Sequence, residues 1–313
     1  MKLAVVAHSG KSAGGGGPHQ LRELLAGHGC RDPLWFEVDR GRKAGKKARR
    51  AIREGAELLV VWGGDGTVQR CLDAAAGTGV EVAIIPAGTA NLLATNLSIP
   101  SDPAEAVRVA MSGRGFQLDL GRIKGEHFAV MAGAGLDAEM IDDAGRTMKG
   151  RLEKAAYVLT ALRHVRDPAV PLRVKVDGKR WFSGRAGCVL FGNVSRITGG
   201  VRAFPDAVPD DGWLEVGVTT AEGLGQWART AGRLVTGHAD RSPLVHMTRA
   251  RRRVKVRFES PIRYELDGGD RKRVSRLTVT VVPGAVTVRV PVAVGTDANL
   301  PEEALQAPQP RSK

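Results

Sequence analysis

The residues best placed to do chemistry lie in Val60-Val61-Trp62-Gly63-Gly64-Asp65-Gly66-Thr67-Val68, where a hydrophobic run meets a glycine-rich turn that opens a helical pattern. Glycine lets backbone N–H groups approach an anion closely, because no Cβ intervenes. A helix N-terminus adds partial positive charge, and phosphate is the ligand such a turn fits. A carboxylate at Asp65 would repel a bare anion; a Mg²⁺ ion between them removes the conflict. Gly63, Gly64, Gly66 and Thr67 are therefore candidate phosphate-binding residues, and Asp65 is a candidate metal ligand. The plainer reading is a strand-to-helix turn with Asp65 as the helix cap. One strand–helix unit later, Ile84-Ile85-Pro86-Ala87-Gly88-Thr89-Ala90-Asn91 repeats the pattern with small, hydroxyl and amide residues. Gly88, Thr89 and Asn91 join the candidate set, with Thr89 as a phosphate donor and Asn91 orienting the loop. The alternative is a turn in which Asn91 caps a helix over 92–97.

The elements around these turns alternate. Apolar runs at 3–7, 34–38, 58–62 and 82–85 read as strands. Segments 20–27, 43–55, 67–76 and 102–111 read as helices, the last opened by Asp102 before Pro103. Strands alternating with helices predict an open parallel sheet, and ligands bind at the carboxyl ends of its strands. Beyond residue 120 the pattern changes to strands at 128–131, 172–176, 186–191, 213–218, 253–258, 262–266, 277–282 and 286–290. Helical interruptions fall at 142–165 and 221–236. The fold class expected is α/β plus all-β: a doubly wound, Rossmann-like nucleotide domain over 1–120, then a β-sandwich substrate domain over 121–294. The proline-bearing tail 295–313 is expected to fray or to pack back on the first domain.

Composition narrows the partners. The chain has 313 residues, 42% apolar and 26% charged, with 40 glycines that follow no three-residue period. Lys and Arg number 47 against 33 Asp and Glu, a net charge of +14. Such an excess favours anionic partners. Five Trp, two Tyr and seven Phe are few for a base-stacking surface, and nucleic acid is not the expected partner. Cys30, Cys71 and Cys188 match no metal-ligand spacing and suit a reducing cytoplasm. The apolar run after Lys2 is short for a signal peptide, and no stretch suits a membrane span.

Taken in order and spacing, Gly63-Gly64-Asp65-Gly66-Thr67 and the segment from Pro86 to Pro100 resemble the diacylglycerol kinase catalytic family of lipid kinases. The resemblance continues through Gly133-Ala134-Gly135-Leu136-Asp137-Ala138, Gly192-Asn193, Gly199-Gly200, Asp210-Asp211-Gly212 and Leu266-Asp267-Gly268. The first motif alone is shared with NAD kinases and phosphofructokinases; the late Asp-Gly favours the lipid kinases. The resemblance implies an ATP- and Mg²⁺-dependent enzyme that phosphorylates a lipid hydroxyl, with diacylglycerol the favoured acceptor and phosphatidic acid the product.

It also implies roles for residues. Asp267 would accept the proton of the attacking hydroxyl, and Asp65 would assist through Mg²⁺. On residue type alone, Asp267-Gly268 is a type I′ hairpin turn. Asp210 and Asp211 resemble a structural Mg²⁺ site, or else form an acidic turn. After the first strand, Ser9, Gly10 and Lys11 fit a phosphate-facing turn, although His8 stands near where the family has Asn or Pro. The family commonly carries Glu two positions after the late Asp, where this chain has Gly269 and then Asp270.

Two basic runs, at 40–50 and 249–257, are expected to hold the protein on an anionic membrane surface at ~1 kcal/mol per basic residue. That describes a cytoplasmic, peripherally membrane-associated enzyme in which a homo-oligomer is possible. Two other readings stay open: an NAD kinase-like phosphotransferase, and a non-catalytic basic protein that binds membrane or nucleic acid on a kinase fold.

Overall fold

A computed structural model describes residues 1–135, 169–197, 201–222, 225–227, 229–230, 233 and 242–292. The helix expected at 142–165, half of that at 221–236, Leu136-Asp137-Ala138, Gly199-Gly200 and the tail 295–313 lie outside the described residues.

Parallel strands β1 (Leu3–His8), β2 (Leu34–Val38), β3 (Leu58–Gly63) and β4 (Glu81–Pro86) assemble in the order β2-β1-β3-β4. All six residues of β3 are buried, as expected of an inner strand covered by helices on both faces. The covering helices are α1 (Pro18–Gly27), α2 (Ala44–Arg53) and α3 (Asp65–Ala75). After β4 come α4 (Leu92–Asn96) and α5 (Pro103–Ser112). The Asp102 carboxylate caps α5 by accepting from the Glu105 N–H at 2.9 Å, as its place before Pro103 predicts. Helix α2 buries Ala44, Gly45, Ala48 and Ala51. A Cβ on Gly45 would lie 3.1 Å from the Arg70 carbonyl oxygen, so α2 and α3 pack backbone to backbone. Because β2 and β3 flank β1 on opposite sides, the chain reverses direction across the sheet there. The crevice beyond the ends of β1 and β3 is where ligands bind in such folds.

The remaining strands are β5 (Arg114–Ile123), β6 (Glu126–Phe128), β7 (Met131–Ala134), β8 (Val170–Val176), β9 (Lys179–Ala186) and β10 (Cys188–Gly192). They continue as β11 (Arg196–Ile197), β12 (Val201–Arg202), β13 (Leu214–Thr219), β14 (Val245–Ala250), β15 (Arg253–Ile262) and β16 (Tyr264–Leu266). The last are β17 (Gly269–Asp270) and β18 (Val274–Val290). One ten-stranded sheet runs β2-β1-β3-β4-β18-β15-β8-β9, with β5 on β18 and β6 on β5. A second sheet runs β14-β13-β10-β7-β16-β17. The antiparallel part of the first sheet faces the second across a core that includes Leu172, Val174, Val254, Val256, Val189, Phe191 and Val216. This is the α/β-plus-sandwich architecture expected, but the two units share a sheet. Strand β5 runs through residue 120, and β18 borders β4, β5 and β15. The runs 277–282 and 286–290 are one strand: Pro283-Gly284 forms a bulge between Val282 and Val286, where a turn would have parted them.

Candidate functional site

The β3–α3 turn and the β4–α4 turn are pressed together, and glycine makes that possible. A Cβ on Gly88 would lie 2.5 Å from the Gly64 Cα, and one on Gly64 would lie 3.0 Å from the Gly88 Cα. A Cβ on Gly63 would strike the Thr67 side chain at 2.7 Å. Gly64 is the N-cap of α3 and Asp65 its first residue. Thr67 N already donates to Gly64 O at 2.9 Å, while the N–H groups of Asp65 and Gly66 have no acceptor within the helix, so the helix opens toward the crevice with those donors available. Around Gly66 a Cβ would meet nothing within 4 Å.

Asp65 does not cap its own helix. Its Oδ1 accepts from the Leu92 N–H at 2.7 Å, which ties the start of α4 to the start of α3. Burial raises its pKa, against the opposing effect of the amides at Asn91, Leu92 and Leu93. Asn91 has φ 46°. Its Oδ1 accepts from Gly88 N at 2.8 Å and its Nδ2 donates to Gly88 O at 2.9 Å. Asn91 therefore closes the second loop on itself, and these two groups are engaged there. Thr89 is exposed beside it.

At the end of β1, Ser9 donates its backbone N–H to Val38 O at 2.9 Å and its hydroxyl to the same oxygen at 3.2 Å. Gly10 N donates to His8 Nδ1 at 3.2 Å. These groups shape the turn from within. Lys11 and His8 line a cleft of roughly 300 Å³ together with Gly64, Gly66 and Thr67. Burial, then the Lys11 charge, lowers the His8 pKa and favours the neutral imidazole.

Asp267 lines the same cleft. Asp267 (φ 44°) and Gly268 (φ 76°) form the two-residue turn between β16 and β17, in which Leu266 pairs with Gly269. Two positive φ values in a two-residue loop are those of a type I′ hairpin, so the turn reading holds. The same turn delivers the carboxylate into a nest of three successive amides. Oδ2 accepts from Ala129 N at 2.8 Å, and Oδ1 accepts from Val130 N and Met131 N, both at 2.9 Å. Burial pushes the carboxyl up to about 6, the three amides oppose that rise, and the Asp65 charge adds to it. A carboxylate offers about four lone-pair sites. Three are filled, which leaves one on Oδ2 to accept a proton from a hydroxyl.

The nest is held from behind. Asn193, buried, donates from Nδ2 to Ala129 O at 2.9 Å and to Asp119 O at 2.8 Å, while its N–H donates to Val130 O at 2.9 Å. Asp73 on α3 accepts from His127 N at 2.9 Å and contacts His127 Nδ1 at 3.0 Å, fixing β6 to the phosphate-loop helix.

A residue that pattern alone does not single out is Arg271. Its Nη1 donates to Gly269 O at 2.8 Å and Asp270 O at 3.0 Å, and its Nη2 reaches Glu126 at 2.7 Å. Arg70 meets the same Glu126 oxygen at 2.8 Å. Burial would raise the Glu126 pKa, but the two guanidiniums bring it below the ordinary value. A Cβ on Gly269 would lie 2.9 Å from Arg271 Nη1. Where the family pattern has Glu, this chain thus has a glycine that makes room for an arginine. Asp270 is exposed and lies 4.0 Å from Arg263.

Asp210 and Asp211 lie elsewhere. Asp211 Oδ1 accepts from Trp213 N at 2.9 Å and Oδ2 is ion-paired with Arg249. Asp119 accepts from Gly212 N at 2.6 Å and Gly284 N at 2.7 Å. Burial, then the charges of Asp119 and Asp211, raises the Asp210 pKa. Among the described residues no group of three or more His, Cys, Asp or Glu side chains is gathered to hold a metal ion. Likewise, no described helix is long and apolar enough to cross a membrane.

Comparison with known proteins adds a second line of observation. The family described as diacylglycerol kinase catalytic domain matches residues 2–123, and the family described as YegS C-terminal NAD kinase beta sandwich-like domain matches residues 130–290. The chain is 28% identical over 249 residues to a diacylglycerol kinase of Mycobacterium tuberculosis, covering 77% of this chain and 79% of that protein. It is 30% identical over 178 residues to a protein of Klebsiella pneumoniae named "Probable lipid kinase YegS-like". That match spans 56% of this chain and 60% of the relative's length. The crystal structure of a diacylglycerol kinase from Bacillus anthracis superposes with a TM-score of 0.72 at 20% identity, over 94% of this chain and 98% of that one.

Proposed function

Because this chain belongs to the diacylglycerol kinase and YegS-like family of lipid kinases, we propose that it transfers the γ-phosphoryl group of ATP to a lipid hydroxyl, with diacylglycerol as the acceptor and phosphatidic acid as the product. The observation that carries this reading is the cleft itself. The cleft gathers an amide-bearing helix start, the cation of Lys11 and the half-buried Asp267 carboxylate with a single lone pair left open.

The Gly64–Gly88 contact fits a phosphate chain, since a Cβ on either residue would force the loops apart. Lys11, with the Gly64–Gly66 amides, would orient the phosphates for in-line attack. The donor set also fits Mg²⁺. Two carboxylates, Asp65 and Asp267, sense each other's charge across the site, and a hard cation that keeps several waters needs only one or two such ligands besides phosphate oxygens. Asp65 is the residue that would hold it. When bound, Mg²⁺ would supply neutralisation of the phosphate charge that builds during transfer. Asp267 Oδ2 takes the hydroxyl proton as the new P–O bond forms and the bond to the departing ADP oxygen breaks. The developing positive charge on the acceptor oxygen is thereby removed late, when a loose transition state needs it.

The test is to incubate the chain with ATP, Mg²⁺ and a crude lipid extract, and to find by mass spectrometry which lipid gains a phosphate. Asp267→Asn should lower kcat by ~10²–10⁴-fold, the usual contribution of general-base catalysis, with ATP still bound. In a parallel incubation with NAD, phosphate appearing on NAD while no lipid is labelled would overturn the lipid acceptor. Full turnover in Asp267→Asn would overturn the assigned base.

A further inference from the structure

The sandwich half of the large sheet carries an arrangement that the phosphoryl-transfer chemistry does not require. Arg276 on β18 stands directly opposite Arg257 on β15, and Arg257 stands opposite Arg173 on β8. Two residues along, Lys255 faces Lys175, which faces Arg180 on β9. All six are exposed. They share the outer face, because the interleaved Val254, Val256, Leu172 and Val174 are buried in the core behind. Directly opposed residues in a sheet approach to ~5 Å, and like charges there are destabilising. Among the described residues no ion pair reaches any of the six. Beside the rows lies a depression of roughly 430 Å³ walled by Arg173, Arg185, Arg257 and Ser183 over Leu172 and Phe258, with Glu259 at its side.

The other basic segments are different. Lys43 pairs with Asp39 at 2.7 Å, Arg50 with Glu54 at 2.6 Å, and Arg49 lies 3.8 Å from Asp73. Arg249 pairs with Glu215 at 2.8 Å and with Asp211. Three of the seven cations at 40–50, and Arg249 from the run at 249–257, are neutralised at home. The six sheet cations come from four strands, and only Lys255 and Arg257 among them fall within the run at 249–257.

We propose that this outer face of β9-β8-β15-β18 docks the protein on an anionic phospholipid bilayer, with headgroup phosphates lying over the two cation rows and in the depression beside them. A plane of negative headgroups relieves each like-charge pair without threading a ligand into a groove. The neighbouring aromatics Trp181 and Phe182 pack against the core, so the face has no stacking platform that would favour single-stranded nucleic acid. The proposal is independent of which acceptor the cleft takes.

The experiment is flotation of the full chain with phosphatidylcholine vesicles carrying increasing fractions of phosphatidylglycerol. Wild-type binding should rise steeply with the anionic fraction and fall with salt. The variant Arg173→Ala/Arg257→Ala/Arg276→Ala should bind on the order of 100-fold more weakly, at about fivefold (~1 kcal/mol) per basic residue. Its thermal midpoint should stay level or rise, since the substitutions remove like-charge contacts, so loss of flotation would not be loss of fold. Lys175→Gln/Lys255→Gln should weaken binding in the same direction. Phosphorylation of a short-chain acceptor dissolved as monomers should be unchanged in these variants; if the wild type phosphorylates no acceptor, the kinase reading fails while the flotation result stands. Wild-type chain that ignores phosphatidylglycerol, or a triple variant that floats as well as the wild type, overturns the docking face.

Discussion

Asp267 is where two opposed effects meet on one side chain. Burial disfavours its charge and three amides favour it, with the carboxyl pushed up to about 6. A proton acceptor must be ionised, so kcat/KM should rise with pH through an apparent pKa near that value, read from a pH–rate profile; a profile flat through this range would contradict the role. Stability should move the opposite way. The folded chain holds this proton more tightly than the unfolded chain, whose carboxyl has the ordinary value of 3.8. The group's contribution is therefore full below the ordinary value and lost as pH rises through the folded one. The turn that carries Asp267 was legible, because Asp-Gly between two strand patterns has a defined conformation. Its nest was not, because three backbone amides at 129–131 leave no trace in residue type. Arg271 was hidden for a similar reason: it acts on carbonyls of its own turn and on Glu126, distant in sequence. Gly269→Glu should drive Arg271 out and lower the thermal midpoint. Adding Arg271→Ala should recover part of the loss, a coupling of ~0.5–3 kcal/mol in a double-mutant cycle. Strict additivity would mean that the two positions do not share that space.

At the scale of elements, the site is made by two strand–helix turns in contact, and both were readable. An unbroken apolar run ending in glycines announces a buried parallel strand and its turn more clearly than any other pattern in the chain. What stayed hidden is the partnership between the turns. The close approach of Gly64 and Gly88 needs a structure to see, as does the bond from Asp65 to the start of α4. Asp65 was read as a metal ligand or, more plainly, as the cap of its own helix; its carboxylate is instead the clasp that ties the start of α4 to the start of α3. Gly88→Ala brings a methyl 2.5 Å from a backbone carbon, and no rotamer can relieve that. It should destabilise the chain by ~1–3 kcal/mol, as overpacking typically does, and raise KM for ATP more than it lowers kcat on a saturating nucleotide. An unchanged ATP affinity in a folded Gly88→Ala chain would argue that the paired turns do not bind the phosphates. Strands β5, β9 and β14 were missed because much of each faces solvent and their polar residues read as loop. β5 shows this well, its first four positions being largely exposed and its last six mostly buried.

Across the whole molecule, β18 joins what the sequence divides. Its Val274, Leu277, Val279 and Val281 belong to the sandwich core, while Val286, Val288 and Val290 belong to the core of the parallel sheet. The break that suggested two strands, Pro283-Gly284, is the bulge at which one strand passes from one core to the other. Asp119 anchors that crossing. It sits on β5 and receives Gly284 N from the bulge and Gly212 N from the loop before β13, while its carbonyl oxygen accepts from Asn193 behind the Asp267 nest. The two units should therefore unfold together, with calorimetric and van't Hoff enthalpies in agreement, the signature of a two-state transition. Asp119→Ala removes two hydrogen bonds to a charged acceptor, each worth about 1.5–3 kcal/mol. It should lower the single midpoint and reduce turnover through the displaced nest, without touching the phosphate loops. Two separate transitions in the wild-type chain would show that the shared strand does not couple the cores. A midpoint unmoved in Asp119→Ala would place the coupling in the apolar side chains of β18 alone.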